Sequence, residues 1–127
     1  MAAITIPVYT QYKVKINNVI AITDIINIQV AVESYFQATD SYPNSLTDVN
    51  MNQLLDPWET AYEYLNLDGV PTGQMRKDQA LVPINSDYDL YSKGPDGQSA
   101  KPLTAATSRD DIVRANDGGF IGIASDY

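Results

Sequence analysis

The chain contains no cysteine and no histidine. Those two absences remove disulfide staples, thiolate and imidazole metal sites, cysteine nucleophiles and every histidine-based triad. Basic residues are scarce as well: 8 Lys and Arg stand against 16 Asp and Glu, a formal net charge of −8 at pH 7. A surface this acidic repels polyanions, which argues against nucleic acid and anionic membrane surfaces as partners. No unbroken apolar run reaches the roughly 20 residues of a membrane span, and no basic stretch followed by an apolar core marks a secretory leader. What remains is a toolkit of carboxylates, hydroxyls, a few Lys and Arg, and backbone carbonyls. That set suits calcium better than it suits most catalysis. The 127 residues are 44% hydrophobic and only 19% charged, which fits one folded domain with a modest core rather than a disordered chain.

Between Pro7 and Thr39 there is no glycine and no internal proline. The stretch therefore predicts one helix of about 30 residues, well above the mean helix length. Ile25, Ile28, Val32 and Phe36 fall on one stripe at helical spacing. Val19, Ile22, Ile26 and Val30 fall on a second stripe, offset by roughly a third of a turn. Asn18 and Gln29 lie between the stripes; Asn17, Asp24, Asn27 and Ser34 are expected on the far side. One small domain needs one apolar face. The second stripe predicts packing on something outside the chain's own domain, such as neighbouring copies; a single broad core-facing stripe is the alternative. The many Ile and Val residues lower intrinsic helix propensity, so packing must hold the helix. Ahead of it, Ala2 to Val8 read as the tail of a longer apolar segment. Lys13 and Lys15 would suit a helix leaving a membrane beside anionic headgroups, or simply a solvated face.

Asp40, Ser41 and Pro43 should end the helix. Ser45-Leu46-Thr47-Asp48 predicts a short helical turn with a capping box between Ser45 and Asp48. Asp56-Pro57-Trp58 predicts a turn, Ala61–Leu65 a strand, Gln79–Ile84 a second hairpin arm, and Tyr88–Ser92 a further strand. Beyond Ser92 the chain reads as an irregular loop region, with a turn at Asp117-Gly118-Gly119. The predicted class is α+β: a long N-terminal helix on a small antiparallel sheet with an irregular C-terminal loop.

Chemistry concentrates in two places. The Gly94-Pro95-Asp96-Gly97 turn exposes carbonyls and presents Asp96, and the later pair Asp110-Asp111 could close a calcium cage around it. The same pair could also be a solvated turn or a helix cap after Ser108. Asp56 and Glu59 could serve a hydrolase as paired carboxylates, although a structural turn anchored by Trp58 explains them more simply.

Three stretches together resemble one family. Ile4-Thr5-Ile6-Pro7-Val8-Tyr9 resembles the end of the apolar N-terminal segment of type IV pilins and pseudopilins. Leu55-Asp56-Pro57-Trp58 through Tyr62-Glu63-Tyr64-Leu65-Asn66 resembles that family's Asp-Pro-Trp-Gly-x-Pro-Tyr-x-Tyr block. Asp87-Tyr88-Asp89-Leu90-Tyr91-Ser92-Lys93-Gly94-Pro95-Asp96-Gly97 resembles the Asp-x-Asp-Leu-Tyr-Ser-x-Gly-x-Asp-Gly block of major pseudopilins of type II secretion systems. Glu59 and Ala61 stand where the family has Gly and Pro, the link from Gly97 to Asp110 is longer than usual, and the tail from Val113 to Tyr127 departs from the family's short ending.

The resemblance implies a single pilin-like domain, with a helical spine over about residues 7–40 and a globular part over about 41–127. It implies a non-catalytic subunit with a methylated N-terminus, held in the inner membrane by an N-terminal segment that this chain lacks, with its globular domain in the periplasm. Its partners would be identical copies in a helical filament built through Val19, Ile22, Ile26 and Val30, minor pseudopilins or pilins, and inner-membrane assembly proteins, with no nucleic acid. It also implies calcium in the C-terminal loop. Asp96 would take the place of the first carboxylate, Asp110 and Asp111 that of the acidic pair, and backbone oxygens of Lys93 or Pro95 would add ligands. A calcium-binding type IV pilin of a surface fibre is the neighbouring alternative, and a small carboxylate-dependent hydrolase is the remote one.

Overall fold

The computed structural model describes the backbone of residues 2–127 and the side chains of residues 12–127. The Ile4–Tyr9 block, as side chains, lies outside the described residues. Helix α1 spans Ala2–Thr39, so it continues upstream of Pro7, where the sequence pattern begins it, and loses one amide donor there. It ends as expected: Asp40 adopts the left-handed conformation (φ 62°) and donates its N–H to the Phe36 carbonyl at 2.7 Å. A 3-10 turn follows at Leu46–Val49, but the capping box does not form. The Ser45 side chain makes no cap bond; the Asp48 carboxylate instead accepts the N–H of Asn44 at 3.1 Å.

Four antiparallel strands form one sheet in sequence order: β1 (Glu63–Asn66), β2 (Tyr88–Ser92), β3 (Ile112–Ala115) and β4 (Phe120–Ile123). The α+β class is correct, and β2 falls where its alternation places it. Three expectations fail. The first strand starts at Glu63 rather than Ala61. Gln79–Ile84 forms no strand: Asp78 closes a tight turn onto Val82, and β1 pairs directly with β2, Tyr64 opposite Leu90. The C-terminal region is not all loop, because β3 and β4 supply half of the sheet.

The sheet is covered on both faces, which explains why β2 and β3 are buried almost throughout. Strand residues alternate between the faces. Tyr88, Leu90 and Ile112 face α1 and pack with Ala21, Ile25, Ile28 and Val32. Val113 and Ala115 face away and pack under Ile84, Leu103 and Ala124, from the segments that connect the strands. The first helical stripe is thus the core stripe, with Phe36 half-buried and stacked on Tyr42 at its end.

The second stripe divides. Val19 (61% exposed), Ile26 (43%) and Val30 (59%) face outward. Ile22 does not: it is half-buried against the chain's own core. It lies about 60° around the helix from Ile25, whereas the other three lie about 100–140° away. Asp24, expected on the far side, accepts a 2.7 Å hydrogen bond from the Tyr62 hydroxyl. By length and composition, Tyr12–Thr39 is able to cross a membrane, although it contains no unbroken apolar run. Its interruptions are largely uncharged (Asn17, Asn18, Thr23, Asn27, Gln29), which is why counting consecutive apolar residues overlooks it.

Candidate metal centre

The two acidic stretches meet at the end of β2 and the start of β3. One carboxylate oxygen from each of Asp96, Asp110 and Asp111 lies within 4.8 Å of the other two. The cluster is built from behind by a chain of hydrogen bonds. Asp56, buried in its turn, accepts the N–H groups of Trp58 and Thr60 on Oδ1, at 3.0 and 2.9 Å, and the Ser92 hydroxyl on Oδ2 at 2.7 Å. Ser92 Oγ in turn accepts the Gly94 N–H at 3.1 Å. The Asp-Pro-Trp turn thereby fixes the start of the loop that carries Asp96. Gly94 sits at φ +70°, and a Cβ there would lie 2.5 Å from the Asp110 carbonyl oxygen. Only glycine lets the two loops approach this closely.

Asp111 is fully buried and pairs with Arg76 at 2.9 Å through Oδ2, which also accepts the Ser99 hydroxyl. Arg76 stacks on the Tyr91 ring, 4.1 Å from its centroid. Burial pushes the Asp111 carboxyl up to about 7, against the lowering influence of Ser99 and Arg76 and with further upward pressure from Asp110. Asp110 is raised too, by burial first and by the neighbouring Asp96 charge second. The cluster therefore resists full ionisation unless a cation compensates it.

The buried side-chain polar atoms left without a hydrogen-bond partner among the described residues are Arg76 Nε, Asp110 Oδ1 and Asp111 Oδ1. All three belong to this one cluster. Buried carboxylate oxygens without a partner are costly, and such groups call for an explanation. A calcium ion with ligands at 2.3–2.6 Å holds oxygens no more than about 5 Å apart, which the carboxylate spacing satisfies. Three carboxylates partly offset by one arginine, with no nitrogen or sulfur donor, form a donor set for a hard cation.

Of the expected ligands, the three aspartates are brought together. Lys93 and Pro95 were expected to offer only backbone oxygens; the Lys93 side chain pairs with Glu63 at 3.2 Å, and Pro95 is exposed. Arg76 and Ser99 support the centre, yet neither sits in a motif; they reach Asp111 across 35 and 12 residues of sequence. The paired-carboxylate arrangement at Asp56 and Glu59 does not form. Asp56 is buried with both oxygens engaged, and Glu59 is exposed with φ 64°. The chain matches no protein-family model and no curated protein.

Proposed function

We propose that this chain is the structural subunit of a type II secretion pseudopilus, non-catalytic, polymerising through α1, with its C-terminal loop held by calcium at Asp96, Asp110 and Asp111. The observation that carries the reading is the apolar surface that α1 leaves uncovered: Val19, Ile20, Ile26 and Val30 are exposed while Ala21, Ile25, Ile28 and Val32, on the other side of the helix, are buried against the sheet, and further upstream Tyr12, Val14 and Ile16 are exposed as well. An exposed apolar surface of this length marks an interaction site, and a helical rod that is greasy on a second side suits contact with identical rods. The family blocks support the same reading, because the hydrogen-bond chain from Asp56 through Ser92 to Gly94 joins two of them into one structural unit. In this reading the upstream end of α1 belongs to the inner membrane and the sheet domain to the periplasm.

The test is an Ile26→Asp, Val30→Asp double variant, made in the full-length precursor and in this chain. Sedimentable filament should fall by at least tenfold while the melting temperature of the soluble chain is unchanged. Undiminished filament formation with both aspartates in place would overturn the reading.

A further inference from the structure

Arg76 is the one cation, among the described residues, that forms an ion pair with the aspartate cluster. It has no room to swing away. Its side chain is buried, its guanidinium stacks on the Tyr91 ring, and its Nη1 donates to the Ser99 hydroxyl. Its backbone is pinned as well: the Arg76 N–H donates to Asp89 Oδ2 at 2.8 Å. Asp89 Oδ1 accepts the Asn85 amide at 3.1 Å, so both oxygens of that buried carboxyl are engaged outside the cluster. These contacts fix the positive charge in place independently of any ion.

Arg76 uses only one oxygen of Asp111. Its Nη2 and the Ser99 hydroxyl both bond Oδ2, and Oδ1 has no hydrogen-bond partner among the described residues. Asp111 is completely buried, so water does not serve that oxygen either, and Asp110 Oδ1 is bare in the same way. The arginine thus compensates Asp111 without using up its capacity to ligate. With all three carboxylates ionised, Asp96, Asp110 and Asp111 contribute −3 and Arg76 +1, which leaves −3 + 1 = −2. A divalent ion brings that sum to zero. A monovalent ion falls short of it, and a trivalent ion overshoots.

We infer, resting on the calcium reading of this centre, that Arg76 is a fixed counter-charge that sets the strength and the charge selectivity of cation binding, by repelling the ion that shares Asp111 with it. The repulsion scales with the charge of the ion, so it weighs half as much again on a trivalent ion as on a divalent one. A purely structural role would not distinguish two ions of similar size. Without an ion, the same charge compensates the buried Asp111 carboxylate, so removing it makes that carboxylate dependent on the ion.

The test is a titration of the whole chain, unaltered and as Arg76→Met and Arg76→Lys, with calcium and with terbium(III), an ion of similar radius and one more charge. Terbium luminescence sensitised by the chain's aromatic residues reads terbium binding, displacement by calcium reads calcium binding, and circular dichroism follows folding. Arg76→Met should tighten calcium about tenfold and terbium about thirtyfold, the three-halves power that charge scaling demands. Arg76→Lys, which keeps the charge, should stay within about threefold of the unaltered chain for both ions. An Arg76→Met chain that is unfolded in chelator should refold with either ion. Equal changes for the two ions, weaker binding by Arg76→Met, or an Arg76→Met chain that neither ion folds would each overturn the inference. An unaltered chain that binds neither ion refutes the calcium reading instead; terbium binding that appears only in Arg76→Met would then still support the counter-charge, and its absence would overturn that as well.

Discussion

Two arginines sit buried against this sheet, and their surroundings differ in one respect. Arg114 lies 3.9 Å from the Tyr88 ring centroid and forms a two-pronged pair with Asp87, both contacts 2.8 Å. It also donates to Gln29 of α1 and to the Tyr88 carbonyl, so every donor group has a partner. Arg76 lies 4.1 Å from the Tyr91 ring centroid and pairs with Asp111 at 2.9 Å, a near copy of the same design. Yet its own Nε and the Oδ1 atoms of Asp110 and Asp111 have no hydrogen-bond partner. The first centre is closed by protein groups alone and ties the helix to the sheet. The second carries surplus carboxylate, which the proposed calcium ion would complete. One buried arginine therefore serves the join between two elements; in the proposed reading the other serves a cation-dependent closure of the C-terminal loop.

The comparison can be broken most forcefully at Arg114. Arg114→Met leaves Asp87 without its counter-charge and frees Gln29, and should destabilise the fold by about 3 kcal/mol, equally with and without calcium, in denaturant melts. Gly94→Ala should cost roughly 1–3 kcal/mol through backbone strain and collision with the Asp110 carbonyl, and should also weaken any calcium response, because it lifts the Asp96 loop from Asp110.

A third prediction concerns pH. Burial raises Asp111 to about 7, so the folded chain holds that proton to higher pH than the unfolded chain does. Without calcium, this group favours folding at low pH, and its contribution is lost as pH rises through about 7. In the proposed reading calcium replaces the proton. Its stabilising effect should thus be small near pH 5 and grow toward pH 8, a trend readable from paired melts across about that range. The Arg114 centre should add no calcium dependence to the profile.

Local pattern made α1 and β2 legible, since both are long or regular enough for their apolar periodicity to show. The strands after Asp111 were hidden for physical reasons. Ile112-Val113-Arg114-Ala115 buries a charged residue whose partners, Gln29 and Asp87, are remote in sequence, and Phe120-Ile121-Gly122-Ile123 has a glycine at a buried position. Leu81 and Val82 misled in the opposite direction: they look like a strand, but they are displayed on a strained turn. At the candidate centre the three carboxylates were visible as residue types. The supports were not, because Arg76, Ser99 and the Asp56–Ser92 bond depend on how distant loops fold onto one another. Ile22 was assigned to the outward stripe because helical spacing alone does not reveal how wide a strip the sheet covers.

The most direct measurement is the melting temperature of the chain in calcium and in chelator, at neutral pH, for the unaltered sequence and for Asp96→Asn. A cation that binds only the folded state at about a hundred times its Kd adds about 2.7 kcal/mol, a rise of several degrees for a chain of this size. The unaltered chain should show that rise. Asp96→Asn should abolish it and change the chelator melt little, since Asp96 is exposed and its replacement relieves repulsion with Asp110. Superimposable melts of the unaltered chain in calcium and chelator would contradict the account.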